Sequence, residues 1–278
     1  MPTGNVAFVL GGGGHLGAHE VGMLRALIEA DIRPDFVLGT SIGAINGAAV
    51  AGDPTAESIA RLTETWSRIE ESDAFDGSLL GRLATLARTR THLHGVGGLK
   101  RLLEGTATVE RIEDLAVPFQ CVAACIETAS ERWFEEGPLV DAVLASCSVP
   151  GILPPYRIGD EHFLDGGVVN SIPVGRAVQL GAQTIYVLHV GRIERALEPP
   201  RWPWEVGLVA FEIARRHRFF GDMAALPEDV EVHVMPTGQA EPARFTDLSQ
   251  FRYRDTSRIP DQIERAYEAS EEYLSEHS

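Results

Sequence analysis

The chain is short of cysteine and of positive charge. Its 278 residues include three cysteines, an odd number that argues against a framework of disulfide bonds. Lys and Arg together number 24 against 40 Asp and Glu, so the formal net charge at pH 7 is −16. A surface of this charge repels the phosphate backbone of nucleic acids, and no basic stripe compensates for it. We therefore expect no nucleic-acid partner and no tight adsorption to anionic membranes.

The chain also lacks an export signal and a long hydrophobic run. The stretch from Met1 to Asn5 has none of the basic residues that begin a secretory signal peptide. The longest apolar region, residues 36–51, is too short to span a bilayer and is interrupted by Gly, Ser and Asn. A cytoplasmic protein with reduced cysteines is the expectation that fits these absences.

Apolar runs alternate with helical patterns from the start of the chain. Residues 6–10 are consecutive apolar residues without alternation, which is typical of a buried strand. Residues 17–30 carry apolar side chains at helical spacing. A second strand over 35–38 and a helix rich in Ala and Gly over 41–51 follow. This alternation predicts an α/β fold, with helices flanking a sheet.

The rest of the chain extends the same pattern. We predict mainly helix over 55–116, 139–146, 206–220 and 261–278, strands over 119–126, 131–135, 184–190 and 230–235, and a loop over the proline-rich 150–159. The segment 131–135 is predicted to be an edge strand paired with 119–126. No repeat or linker divides the chain, so we predict one domain over residues 4–275. Its helical segments at about 55–116 and 205–222 are predicted to form a cover or lid.

A G-x-S-x-G pentapeptide lies at Gly39-Thr40-Ser41-Ile42-Gly43, where the second strand meets its helix. A strand that turns sharply into a helix can present one serine hydroxyl above a sheet, with Gly39 and Gly43 where side chains would clash. The helix N-terminus adds unpaired N–H groups and a positive dipole end. Ser41 is therefore a candidate nucleophile. The alternative is a tight turn in which Ser41 or Thr40 only caps the helix.

A glycine-rich loop, Gly11-Gly12-Gly13-Gly14-His15-Leu16-Gly17, directly follows the first strand. Consecutive glycines allow the backbone to turn several N–H groups toward one point, which suits an anion or a developing oxyanion. Gly12, Gly14 and Gly17 also satisfy the G-x-G-x-x-G fingerprint of dinucleotide-binding proteins. Against that alternative, the next strand ends in Ser41 rather than in the acid that would bind a ribose.

A serine nucleophile needs a base, and the sequence offers two arrangements. Histidine is the common choice, and His189, at the end of a predicted strand, is the candidate for a conventional Ser-Asp-His order. Asp165, followed by Gly166 and Gly167, can instead contact Ser41 directly and form a two-residue dyad. The third interpretation is an ordinary turn aspartate before two glycines.

These three motifs, in this order, resemble the patatin-like phospholipase family, especially its bacterial members. The segments 146–151 (Ser-Cys-Ser-Val-Pro-Gly), 154–155 (Pro-Pro) and 164–170 (Leu-Asp-Gly-Gly-Val-Val-Asn) resemble the family's third block. The similarity covers roughly residues 4–190. It implies a single three-layer α/β/α domain with a mainly parallel central sheet.

The resemblance also implies the chemistry. Ser41 would be the nucleophile and Asp165 its general base, with no histidine, metal or cofactor required. The oxyanion would be held by the backbone N–H groups of Gly13 and Gly14, with Gly12 as a further donor, and the motifs would be supported by Gly17, Gly39, Gly43, Gly166 and Gly167. The expected activity is a serine acyl hydrolase that cleaves carboxylic esters of lipids.

One position departs from the family pattern. Family members often carry Arg or Lys just before the last glycine of the loop, where this chain has Leu16.

The competing hypothesis for the function, from another class of protein, is a non-catalytic acyl-lipid or dinucleotide-binding α/β protein.

Two features of the region after residue 200 bear on contact with lipid. Arg215, Arg216 and Arg218 form the clearest basic run; it can meet lipid head groups, but a solvated helix face is the commoner explanation. The aromatic residues nearby are either contacts for a lipid surface or, as we favour, core residues: Trp202, Trp204, Phe219 and Phe220. The expected partners are thus a lipid or ester substrate and, transiently, a membrane surface.

Overall fold

The computed structural model describes residues 5–68, 89, 92, 94–190, 196–239 and 258–277. The strands are β1 (Val6–Leu10), β2 (Phe36–Thr40), β3 (Phe119–Cys125), β4 (Ser130–Phe134), β5 (Tyr156–Ile158), β6 (Glu161–Asp165), β7 (Thr184–Leu188) and β8 (Glu231–Val234). The helices are α1 (Ala18–Glu29), α2 (Ile42–Gly52), α3 (Ala56–Ser67), α4 (Gly97–Thr106), α5 (Leu139–Ser146), α6 (Val174–Gln179), α7 (Pro203–Ala224) and α8 (Ile259–Glu276).

The strands form one mixed sheet that is mainly parallel. β3, β2, β1, β7 and β8 lie side by side in that order and run parallel. β4 and β6 are antiparallel to β3, and β5 is antiparallel to β6. Parallel neighbours need crossover connections, and the helices supply them.

Helices cover both faces of this sheet, as the side chains of β1 show. Phe8 and Leu10 face a core that includes buried residues of α1, α2, α3, α5 and α8. Ala7 and Val9 face a second core that includes residues of α6 and α7. Because successive strand residues point to opposite faces, a strand buried on both sides needs apolar residues throughout. The predicted three-layer α/β/α fold with a mainly parallel sheet is confirmed.

Several predicted elements have different bounds in the structure. The edge strand predicted at 131–135 is confirmed as β4, which pairs with β3. The loop predicted over 150–159 is wrong at its end, where β5 forms; strand β5 follows the two prolines and lies at the edge of the sheet, where proline-flanked strands are tolerated. The helix predicted over 206–220 is longer at both ends.

The predicted helical cover is described in part. Within 55–116 the structure contains α3 and α4, and most of the stretch between them lies outside the described residues. The segment 205–222 lies within α7. The single domain over residues 4–275 stays a prediction.

The turn between β2 and α2 packs backbone directly against backbone. A Cβ atom on Gly43 would overlap the carbonyl group of Leu10 and lie 2.8 Å from the carbonyl oxygen of Gly11. A Cβ atom on Gly39 would lie 2.6 Å from the Cα of Ala44. These two glycines therefore allow α2 to start directly against β1 and the glycine loop.

We expect the substitution Gly43→Ala to destabilise the protein by about 1–3 kcal/mol, the usual cost of forcing extra volume into a packed site. The matched control is Gly105→Ala in α4, where nothing lies within 4 Å of the added Cβ. Alanine there favours the helix, so stability should be unchanged or slightly higher. Urea denaturation of both variants measures the difference; equal stability of the two would contradict the close packing.

Candidate active site

Strand β3 brings together two segments that are distant in the sequence. Thr40, the last residue of β2, pairs with Val122, and Asp165, the last residue of β6, pairs with Ala123. β4 overlaps both pairings from the other edge of β3, so β2 and β6 lie end to end along the same edge. Because β2 and β6 run in opposite directions, their carboxyl ends meet. Ser41 and Asp165 are therefore neighbours.

The Ser41 hydroxyl donates a hydrogen bond to Oδ2 of Asp165 at 2.5 Å. Both residues are nearly buried, with 8% and 4% of their surface exposed. The interpretation of Ser41 or Thr40 as a helix cap is wrong. The side chain of Ser41 makes no capping bond, and the Thr40 hydroxyl donates to the carbonyl of Asn170 instead.

The backbone at Ser41 is held in an unusual conformation. Its φ is 56° and its ψ is −122°, a region in which residues with a Cβ are strained. Two side chains hold this backbone in place. The Ser146 hydroxyl accepts from the Ser41 N–H at 2.9 Å, and the Cys147 thiol donates to the Ser41 carbonyl at 3.2 Å. Both lie in the segment 146–151 that carries part of the resemblance, but no pattern in the sequence indicates this role.

The carboxyl group of Asp165 is tuned by burial. Burial raises its pKa to about 6, and three interactions oppose the rise: the bond from Ser41, the bond from the Gly167 N–H, and the charge of Arg215. The Gly167 N–H donates to Oδ1 at 2.7 Å, which leaves Oδ2 for Ser41. A Cβ on Gly166 would overlap the carbonyl oxygen of Val122, so the turn after Asp165 also requires a glycine. At pH 7 the carboxylate is a base of useful strength.

His189 does not have the place that a Ser-Asp-His triad would give it. The Ser41 hydroxyl donates directly to Asp165, so the imidazole is not its hydrogen-bond partner. The imidazole of His189 is buried, and burial, followed by the charge of Arg215, lowers its pKa to about 4. It is therefore neutral at pH 7.

The glycine loop lies against Ser41, and its N–H groups differ in whether they already donate a hydrogen bond. A Cβ on Gly12 would lie 3.4 Å from the Ser41 Cβ, so this glycine directly adjoins the serine. The Gly12 N–H itself donates to the carbonyl of Ser171 at 3.0 Å. Gly14 has a φ of 62°, which favours glycine. Gly13 and Gly14 differ from Gly12 in their hydrogen bonding. Apart from bonds within helices and strands, neither of their N–H groups donates to a backbone carbonyl of the described residues.

A buried polar network supports the far end of the loop. The Asn46 amide donates to the carbonyl of Gly17 at 3.0 Å and to Glu20 at 2.8 Å, while the Trp66 indole donates to the Asn46 oxygen at 2.9 Å. Burial raises the pKa of Glu20 well above its usual value. The sequence carried a weak signal for this network: Glu20 interrupts the apolar side of α1, and Asn46 is a lone amide in an Ala- and Gly-rich helix.

Within the basic run of α7, Arg215 faces inward rather than toward solvent, whereas the side chain of Arg218 is 40% exposed. Arg215 is 8% exposed, donates to the carbonyl of Gly12 at 3.2 Å and forms an ion pair with Glu212 at 3.1 Å. Arg216 also pairs with Glu212, and Arg218 pairs with Glu131 and Asp222. The expectation of a solvated face or a patch for lipid head groups is wrong for Arg215, because its guanidinium is enclosed by the glycine loop and by its own helix.

The nearby aromatic residues divide between core and surface. Phe219 belongs to the core beneath α7, as predicted, but Trp202 and Phe220 are 57% and 52% exposed. The side chain of Trp204 lies outside the described residues.

Residues 8–178 match the family described as patatin-like phospholipase. The chain belongs to this family. Curated relatives include patatin-like phospholipase domain-containing protein 6 of Homo sapiens, 34% identical over 192 residues, which are 68% of this chain and 14% of that protein. Lysophospholipase nte1 of Aspergillus terreus is 33% identical over 196 residues, 68% of this chain and 12% of that protein. The chain thus spans only a small part of these relatives.

A solved structure supports the fold. VipD from Legionella pneumophila matches 99% of this chain and 67% of its own with a TM-score of 0.50 at 14% identity.

The family match contains Ser41, Asp165 and the glycine loop, but it ends before α7. Arg215 therefore belongs to a part of the chain that the family description does not cover. Leu16, the residue at which the glycine loop departs from the expected motif, is buried.

Among the described residues, no three or more His, Cys, Asp or Glu side chains are placed to hold a metal ion together. None of the helices in the described ranges combines the length and the hydrophobicity needed to cross a bilayer.

We expect Ser41→Gly to be more stable than Ser41→Ala by about 1 kcal/mol, because only glycine adopts the positive φ at residue 41 without strain. Both variants lose the hydroxyl and its bond to Asp165, so each is the control for the other. The free energy of unfolding in urea measures the difference. An alanine variant at least as stable as the glycine variant would refute strain at this position.

The raised pKa of Asp165 should also appear in stability. Because the folded-state pKa of about 6 exceeds the usual 3.8, the folded protein holds this proton more tightly than the unfolded chain. The stability that follows is present below about pH 4 and is lost as pH rises toward 6, a change of about 2–3 kcal/mol. Asp165→Asn does not titrate, so its stability relative to the wild type should rise by that amount between pH 4 and pH 7. A difference independent of pH would contradict the raised pKa.

Proposed function

We propose that this protein is a serine acyl hydrolase that cleaves carboxylic esters of lipids, as a phospholipase, lysophospholipase or esterase. The observation that carries the proposal is the direct hydrogen bond from the Ser41 hydroxyl to Asp165, at a strained turn beside the glycine loop. The names of its relatives, a lysophospholipase among them, favour lipid esters as the substrate class. Its three cysteines are free and buried, which suits the cytoplasm.

In the first half of the reaction, Asp165 accepts the proton of Ser41 while Oγ attacks the ester carbonyl carbon. A bond forms between Oγ and that carbon, and the carbonyl oxygen becomes an oxyanion. Donors that are already oriented toward the developing charge lower the barrier most. We assign this role to the N–H groups of Gly13 and Gly14, and leave out that of Gly12 because it donates to Ser171.

The alcohol leaves before the serine is regenerated. Collapse of the tetrahedral intermediate breaks the bond to the leaving alcohol, which takes the proton from Asp165, and an acyl-enzyme remains on Ser41. The second half of the reaction regenerates the serine. A water molecule then attacks the acyl-enzyme and gives its proton to Asp165. When the bond to Oγ breaks, the fatty acid leaves and Ser41 recovers its proton. Asp165 therefore acts as base and acid in turn, which a pKa of about 6 allows near neutral pH.

The two sides of helix α7 favour a lipid as the substrate and a transient contact of the protein with lipid surfaces. On its inner side, Phe211 adjoins Gly167 and Arg215 contacts Gly12. On its outer side, Val206, Ile213 and Phe220 are exposed and lie seven residues apart, which places them along one face. An apolar row on the helix that covers the site suits contact with aggregated substrate.

The test is hydrolysis of p-nitrophenyl butyrate and of a panel of phospholipids and lysophospholipids by the purified protein. We expect Ser41→Ala and Asp165→Asn each to lower kcat by about 10³-fold or more. The control Asp160→Asn, on a fully exposed side chain, should retain activity. The kcat/KM of the wild type should fall tenfold per pH unit below about pH 6, because the base is then protonated.

A fluorophosphonate probe separates catalysis from binding alone. The wild type should be labelled on Ser41 and the Ser41→Ala variant should not. Hydrolysis that persists in both dyad variants would overturn the proposed mechanism. A wild type that is neither labelled nor active, and that binds NADH by fluorescence, would favour the dinucleotide-binding alternative.

A further inference from the structure

Arg215 is a buried cation that the reaction described above does not use. It lies midway along α7, and its Nη1 donates to the Gly12 carbonyl oxygen at 3.2 Å. Its Nη2 donates to Glu212 at 3.1 Å, one turn earlier on the same helix. Its Nε is buried and has no hydrogen-bond partner within the described residues. The guanidinium is thus held by α7 and directed at one peptide group of the glycine loop.

That peptide group joins Gly12 to Gly13. In a trans peptide the C=O and the N–H point in opposite directions, so a partner that fixes the Gly12 carbonyl also fixes the direction of the Gly13 N–H. Neither glycine has a side chain to oppose rotation of the peptide. A rotated peptide would point its carbonyl oxygen where the N–H had been. Such a loop therefore needs an external hold if its N–H is to keep one direction.

We propose that Arg215 is a positioning residue for the oxyanion hole. Paired with Glu212, it holds the Gly12 carbonyl on the side of α7, so that the Gly13 N–H is presented to the substrate carbonyl. It also supplies, from α7, a positive charge next to the glycine loop. This inference rests on the proposed ester hydrolysis at Ser41.

The electrostatic environment agrees with a cation close to the reacting groups. The charge of Arg215 acts to lower the pKa of both Asp165 and His189, against the rise that burial causes at Asp165. Arg215 and Glu212 are both largely enclosed, where a charge–charge contact is less screened than at a surface. Glu212 has Arg216 as a second partner, so replacing Arg215 does not leave its carboxylate alone.

The first test is Arg215→Gln, assayed with p-nitrophenyl butyrate. We expect kcat to fall by about 10²-fold, as when one oxyanion donor is lost, with KM little changed. The acid limb of the kcat/KM profile should move to higher pH, because the charge that lowered the pKa of Asp165 is gone. The control is Arg218→Gln on the same helix, which removes contacts to Glu131 and Asp222 only and should leave both readouts unchanged.

The second test is Arg215→Lys, which keeps the charge but removes the fork that holds Gly12 and Glu212 together. Its acid limb should stay near that of the wild type while kcat falls by about 10-fold. A folded Arg215→Gln variant with kcat within twofold of the wild type would overturn the proposal. If Arg215→Gln does not fold, the lysine variant decides, and a wild-type kcat there overturns it.

A readout without catalysis separates this inference from the proposed function. The amide nitrogen of Gly13, followed by NMR in protein labelled with ¹⁵N-glycine and ¹³C-glycine, senses the hydrogen bond to the Gly12 carbonyl. We expect its resonance to move in Arg215→Gln and to stay in Arg218→Gln. If the wild type is inactive but the resonance still moves in Arg215→Gln, the proposed ester hydrolysis is refuted and the hold of Arg215 on the loop is not. An unmoved resonance would refute the positioning role even if the wild type is active.

Discussion

The site depends on the hydrogen bonding of one strand edge. β3 pairs through Val122 with the end of β2 and through Ala123 with the end of β6, so that two strands from opposite directions stop at adjacent residues. Ser41 and Asp165 are 124 positions apart in sequence, and this pairing is what places them in contact. A slip of one residue in either strand would turn its last side chain to the other face of the sheet. The geometry of the contact between Ser41 and Asp165 is therefore fixed by the strand register.

Features that destabilise the fold gather at this edge. Ser41 is held at a strained φ, and Asp165 is a carboxylate whose burial raises its pKa. Hydrogen bonds from neighbouring groups hold both residues in place. Ser146 and Cys147 hold the backbone of Ser41 on both sides, and the Gly167 N–H holds the carboxylate. The strained turn is thus stabilised by neighbours outside the Ser41–Asp165 pair.

The sequence was enough to predict the fold class, the family and the residues of the proposed dyad, because each motif is local and follows a recognisable strand. It could not predict contacts made by single side chains across long separations, such as Ser146 with Ser41 or Trp66 with Asn46. The charge run on α7 shows why. Helical periodicity tells which residues share a face, but whether that face meets solvent or a glycine loop depends on tertiary packing. In the folded chain, Arg215 turns inward and the Gly12 N–H donates to the carbonyl of Ser171, and neither contact follows from the local sequence.

All three cysteines of the chain are buried, and burial raises the pKa of the Cys121 and Cys147 thiols. Thiolate is the form that reacts with maleimides and other alkylating reagents, so these native thiols are protected in the folded protein. A cysteine introduced on the exposed side of α7 would then be the single accessible thiol. The chain is consequently suited, without removal of its own cysteines, to carry one fluorophore on the helix that contacts Gly12 and adjoins Gly167.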